Sequence, residues 1–114
     1  MGVKEKIVGD AAVLTLSGKL MGGNETNEVH DKVKSLIADD VRKVVIDLSK
    51  VKWVNSRGLG MLMACFSSLA QAKGDLKLAG TTEKVKSLLM ITQIIAFFEN
   101  YETTDRALAA FKKK

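Results

Sequence analysis

Few side chains in this 114-residue sequence are placed to do chemistry, and the best placed is Ser56. It follows the strand-like run Val44-Val45-Ile46-Asp47-Leu48 and a connection from Ser49 to Val54, and it stands where a helix should begin. A hydroxyl there can cap the free N–H groups of the first helical turn. It can also accept a phosphoryl group, because a helix N-terminus tolerates an added anion. The other candidates carry less. Cys65 and His30 are the only possible Cys–His couple, but Cys65 falls in an apolar helical stretch and His30 on a charged one, so both are read as structural. Gly18-Lys19 and Gly22-Gly23 lack the spacing of a phosphate-binding loop. Asp47 could suggest a receiver-type phosphoacceptor, yet such a site needs paired acids at the end of the first strand to hold magnesium, and only Asp10 is there, in a turn. Asp39-Asp40 reads as the solvated end of the first helix. No catalytic residue, metal site or cofactor is assigned, and the expectation is a protein that is not an enzyme.

The elements that would position Ser56 can be read from periodicity. Lys6-Ile7-Val8 and Ala12-Val13-Leu14-Thr15-Leu16 are β-type runs on either side of Gly9-Asp10-Ala11, which predicts a hairpin. A loop, Met21-Gly22-Gly23, leads to Asn24 as the expected cap of a first helix, whose apolar face is Val29, Val33, Leu36 and Ile37. The run from Val44 to Leu48 suits a central strand covered on both faces. A second helix is predicted from about Ser56 to Lys73, stopped by Gly74-Asp75, and Leu76 to Ala79 forms the next strand. Thr81 or Thr82 would cap a third helix bearing Val85, Leu88 and Leu89. Phe97 to Tyr101 would give a last strand, and Thr104 would cap a final helix bearing Ala107, Leu108 and Phe111. The order is β-β-α-β-α-β-α-β-α, an α/β domain over residues 1–111 with a frayed basic tail at 112–114.

The second helix is unusual because no charged residue occurs from Gly58 to Ala72. Leu59, Leu62, Met63, Phe66, Leu69 and Ala70 form one apolar stripe that must face the sheet. The opposite side, Met61, Ala64, Cys65, Ser68 and Ala72, is small or apolar where a surface helix would carry Lys and Glu. Two readings stay open for that side: packing against a neighbouring helix, or a patch that docks a partner.

Composition narrows the classes. Hydrophobic residues make up 46% and charged residues 27%, and no stretch is long and apolar enough to span a bilayer. The absence of a signal-peptide pattern and the lone Cys65 lead to the expectation of a cytoplasmic location without membrane insertion. The net charge of +5 invites a nucleic-acid reading, but Lys112, Lys113 and Lys114 supply part of it and only 5% of residues are aromatic. Direct nucleic-acid binding is not expected.

The segments Ile46-Asp47-Leu48-Ser49 and Val54-Asn55-Ser56-Arg57-Gly58-Leu59-Gly60 resemble the signature of STAS domains, whose usual form is Asp-Leu-Ser, a short spacer, then Asp-Ser-Ser-Gly-Leu. Leu14 to Leu20, Gly74 to Gly80 and Val85 to Thr92 resemble the family's second strand, its fourth strand and the helix after it. The resemblance implies the STAS fold: a mixed central sheet and about four helices in a single pair of layers. It is strongest toward anti-sigma factor antagonists, bacterial regulators of transcription that bind a serine-kinase anti-sigma factor and free the sigma factor. By that resemblance Ser56 is the phosphorylation site, and a metal-dependent serine phosphatase reverses the mark. Asn55, Ser56, Arg57, Gly58, Met61 and Cys65 would form the partner-binding surface. Asn55 stands where the family has Asp, and Arg57 where it has a second Ser. An unphosphorylated STAS scaffold, or a subunit of a transporter-associated or signalling complex, is the alternative within the same fold.

Overall fold

The computed structural model describes residues 2–112. Two apolar runs joined by the two-residue turn Gly9-Asp10 form an antiparallel hairpin, β1 (Gly2–Val8) and β2 (Ala11–Leu20). The chain then alternates: α1 (Asn24–Ala38), β3 (Lys43–Val54), α2 (Ser56–Gln71), β4 (Asp75–Ala79), α3 (Glu83–Ile91), β5 (Glu99–Tyr101) and α4 (Thr104–Ala110). A short 3-10 turn, Ile94–Phe97, precedes β5. The sheet order is β1-β2-β3-β4-β5, with β1 antiparallel and every later pairing parallel. The predicted order and mixed sheet are both present.

Strand alternation sorts the side chains onto two faces. Leu14, Leu16, Ile46, Leu48, Leu76 and Leu78 point to one face and are fully or almost fully buried. There they meet Val29 and Val33 of α1, Leu62 and Leu69 of α2, and Val85 and Leu89 of α3. The other face carries Ala11, Val13, Val45 and Ala79, and is covered in part by Ala107 and Phe111 of α4. The expected pair of layers therefore gains a partial third. Beneath α4 lies Lys77, whose side chain is only 4% exposed. Its Nζ donates to Asp75 and to Glu99, each at 3.0 Å, and lies 4.8 Å from the Phe111 ring centroid. Burial pushes the Lys77 pKa down, but the hydrogen bonds to Asp75 and Glu99 outweigh it and leave the net shift upward.

Several boundaries differ from the sequence expectations. The segment Ser49–Val54, expected as a turn, continues β3, because it pairs in parallel with Ser17–Leu20 across register shifts and buries Val51 and Val54. Asn24 does not cap α1: the cap position is Gly23, and the Thr26 hydroxyl instead accepts the Gly22 N–H at 3.0 Å. Thr103, not Thr104, caps α4 by accepting from Arg106 N–H. Thr82 caps α3 through Val85 N–H. Phe97 belongs to the 3-10 turn, so the last strand is shorter than expected. Of the expected tail, Lys113 and Lys114 lie outside the described residues.

Candidate functional site

The site forms where β2 and β3 end side by side. Their last paired residues are Leu20 and Val54, and the backbone N–H of Asn55 donates to Leu20 O at 3.1 Å. Asn55 has extended backbone angles, and its Oδ1 accepts the Gly58 N–H at 2.9 Å. Asn55 is thus the N-cap of α2, the role expected of Ser56. Its Nδ2 also donates to Met21 O at 2.8 Å. One side chain therefore ties the β2 exit loop to the start of α2.

Ser56 is displaced by this arrangement to the first helical position, where it is exposed. Its hydroxyl makes no hydrogen bond among the described residues and is open to an incoming reagent. Arg57 is also exposed, and its aliphatic stem lies over Gly22. A Cβ on Gly22 would come within 2.7 Å of Arg57 Cδ, and its φ of 92° is one that side chains other than glycine disfavour. Gly58 is buried for a similar reason. A Cβ there would lie 2.3 Å from Leu20 O and 2.8 Å from Val54 Cγ1, so the absent side chain lets α2 approach the strand ends.

The remaining members of the expected partner-binding set lie elsewhere. Met61 is 6% exposed and Cys65 0%, both in the main core, so neither can touch a partner in this conformation. Of the two readings left open for that side of α2, α1 supplies the covering helix. His30 Nε2 of α1 and Ser68 Oγ of α2 are 2.8 Å apart, and Cys65 Sγ sits 3.6 Å from Met61 Sδ. Burial pushes the Cys65 thiol up to about 12, which keeps it protonated and unreactive. Burial also lowers the His30 pKa, with the Lys34 charge acting the same way.

The STAS domain profile matches residues 3–107, nearly the whole described chain. The chain belongs to the STAS domain family. A sequence relative is BtrV of Bordetella bronchiseptica, which is named as an anti-sigma factor antagonist. It is 30% identical over 71 residues, a segment that spans 62% of this chain and only 61% of the relative's own length. Among solved structures, a Thermotoga maritima protein titled as an anti-sigma factor antagonist superposes with a TM-score of 0.88 at 22% identity, covering 97% of this chain and 95% of that one. SpoIIAA, titled as an anti-sigma factor antagonist in its unphosphorylated form, gives 0.84 at 15% identity over 99% and 98% of the two chains. A second SpoIIAA structure, titled as the phosphorylated form from Bacillus, gives 0.76 at 13% identity over 96% and 99%. At these identities the structural likenesses establish the STAS fold.

Within this STAS domain, the residues that sequence reasoning did not single out are Met21, Trp53 and Lys84. Met21 and Trp53 are large apolar side chains left 47% and 37% exposed, Met21 in the loop that Asn55 ties down and Trp53 near the end of β3. Lys84 Nζ lies 5.5 Å from the Trp53 ring centroid. The exposed tryptophan was visible in the sequence, but only the extension of β3 and its pairing with Lys19 place it at the site. Among the described residues there is no cluster of His, Cys, Asp and Glu able to hold a metal ion, and no helix is long and apolar enough to cross a membrane.

Proposed function

We propose that this STAS domain is an anti-sigma factor antagonist, switched by phosphorylation of Ser56. In its unmodified form it binds a serine-kinase anti-sigma factor in the bacterial cytoplasm and frees the sigma factor. The kinase transfers the γ-phosphoryl group of its bound ATP to Ser56 Oγ, breaking the bond to the β–γ bridging oxygen so that ADP leaves and the hydroxyl proton is lost to solvent or a base of the kinase, and the modified surface no longer holds the kinase. A metal-dependent serine phosphatase resets the switch, so ATP and metal belong to the partners and the domain itself catalyses nothing.

The observation that carries this reading is the exchange of roles between Asn55 and Ser56. Because Asn55 caps α2, the Ser56 hydroxyl is exposed and has no hydrogen-bond partner among the described residues. Asn55, Ser56 and Arg57 are the part of the expected contact set that can meet a partner, while Gly58, Met61 and Cys65 hold α2 in place beneath them. A phosphoryl group at the first turn adds about −1.5 to −2 charges where the helix dipole and Arg57 favour them, so modification costs the fold little.

The test is to incubate the protein with ATP and each serine-kinase anti-sigma factor encoded in the same genome, then map phosphate by mass spectrometry. Phosphate confined to Ser56, and absent from Ser56→Ala, is the expected result. A tight complex that incorporates no phosphate would overturn the switch.

A further inference from the structure

The surface around Ser56 has a charge that defines what it can dock. Between Asp10 and Glu25, and again between Asp47 and Asp75, the sequence contains no acidic residue. These two acid-free stretches meet where β2 and β3 end, with Lys19 paired to Trp53 and Leu20 to Val54. Lys19, Lys52 and Arg57 are all exposed there, and Lys84 is brought in by the first turn of α3 to lie against Trp53. Glu83, beside Lys84, and Glu25, after the Met21–Asn24 segment, are the acids next to this group in sequence. Among the described side chains none of these cations is in an ion pair. Arg42, Lys43 and Lys77, at the other end of the parallel strands, each face a carboxylate. Among the described side chains, positive charge is therefore paired at that end and not at the Ser56 end.

Near these cations stand Met21, whose carbonyl accepts from Asn55 Nδ2, and Trp53, both partly exposed. A tryptophan and an arginine amid cations have the make-up of a protein-binding centre: aromatic and Arg anchors supply affinity, and the surrounding charge supplies orientation and association rate. We propose that the Met21–Trp53–Arg57 surface docks an acidic face of the serine-kinase anti-sigma factor. Phosphorylation of Ser56 then acts by cancelling a positive docking field. This inference rests on the function proposed above and specifies the chemistry of its partner. The phosphoryl charge sits next to Arg57, well inside the screening length of about 8 Å at physiological salt, so it neutralises the attraction locally. Nucleic acid carries the same sign of charge, but binding it calls for cations along a track with several stacking aromatics, whereas Trp53 is the single exposed aromatic among these residues.

The experiment measures association and dissociation of the full chain with each serine-kinase anti-sigma factor of the same genome over a range of salt concentrations. The variants are a Lys52→Glu/Lys84→Glu double reversal, Trp53→Ala, and Lys73→Glu at the far end of α2 as control, with thermal unfolding reporting folding. The double reversal is expected to weaken binding about tenfold or more, chiefly through the association rate, and to flatten the salt dependence. Trp53→Ala should weaken binding and leave the salt dependence in place; the control should match the parent. If the parent binds and is phosphorylated at Ser56 but the double reversal binds equally well, the docking surface is wrong and the switch stands. If the parent neither binds nor is phosphorylated by any such kinase, the function reading fails and takes this one with it. Salt-dependent binding of a short DNA duplex that the double reversal abolishes, with kinase binding unaffected, would assign the surface to nucleic acid instead.

Discussion

Asn55 combines two tasks that an aspartate cannot both perform. Its oxygen accepts the Gly58 N–H, as a carboxylate could, but its amide group also donates to the Met21 carbonyl, which a carboxylate cannot do. Where the STAS motif usually has Asp, the amide of Asn55 thus adds a bond to the β2 exit loop. Replacing Asn55 with alanine should cost about 1 kcal/mol for the lost cap and more for the freed Met21 carbonyl. Asn55→Asp should keep the cap, lose the loop contact and fall between the two. Urea denaturation of the three proteins checks the ranking, and equal midpoints for Asn55→Asp and Asn55→Ala would remove the cap from the account.

At the scale of elements, α2 is held from two sides. Leu59, Leu62 and Leu69 bury into the core above the sheet, while Met61, Cys65 and Ser68 meet α1. The only polar bridge described between these helices is the one from His30 to Ser68. Burial, and then the charge of Lys34, hold the His30 pKa below its ordinary value, with Asp31 opposing. A base whose folded pKa is lowered binds more protons when unfolded, so stability should fall as pH drops through about 6.5 and level off below the folded value. Melting temperatures measured across that range should decline in the parent and stay flatter in His30→Gln. Glu99 titrates lower down: hydrogen bonds from Tyr101 and then Lys77 hold its carboxyl below the usual range. Its contribution is present above about 4.5 and is lost only as pH falls further, through the folded value.

For the whole molecule, the arrangement separates the proposed switch residue from the scaffold. Ser56 lies at the start of a 16-residue helix, outside the core, so an anion there meets the positive end of the helix dipole, worth about 0.3–1 kcal/mol. Ser56→Asp should therefore melt at the parent temperature or slightly above it. The same substitution should weaken kinase binding by more than Ser56→Ala does. Calorimetry together with a binding titration checks both halves; a strongly destabilised Ser56→Asp, or equal affinities of the two variants, would argue against a switch that leaves the fold intact.

Much of this was legible in the sequence because it depends on local pattern. The β-β-α-β-α-β-α-β-α order follows from apolar periodicity and turn residues, and the STAS motif placed Ser56 at the head of α2. The exact caps were less legible. Asn55 and Ser56 are both good capping residues, as are Thr103 and Thr104, and adjacent candidates are distinguished only by which side chain the folded backbone turns toward the free N–H groups. The end of β3 was misplaced because Ser49–Val54 reads as a polar connection until β2 lies beside it and supplies a ladder partner. Covering one side of α2 likewise required α1, which is distant in sequence and presents His30 and its own apolar face. Ser56 as the residue to watch came from the sequence; that its hydroxyl is exposed, and that Asn55 rather than Ser56 caps α2, was decided by tertiary contacts, because capping, pairing and burial depend on neighbours that only folding brings together.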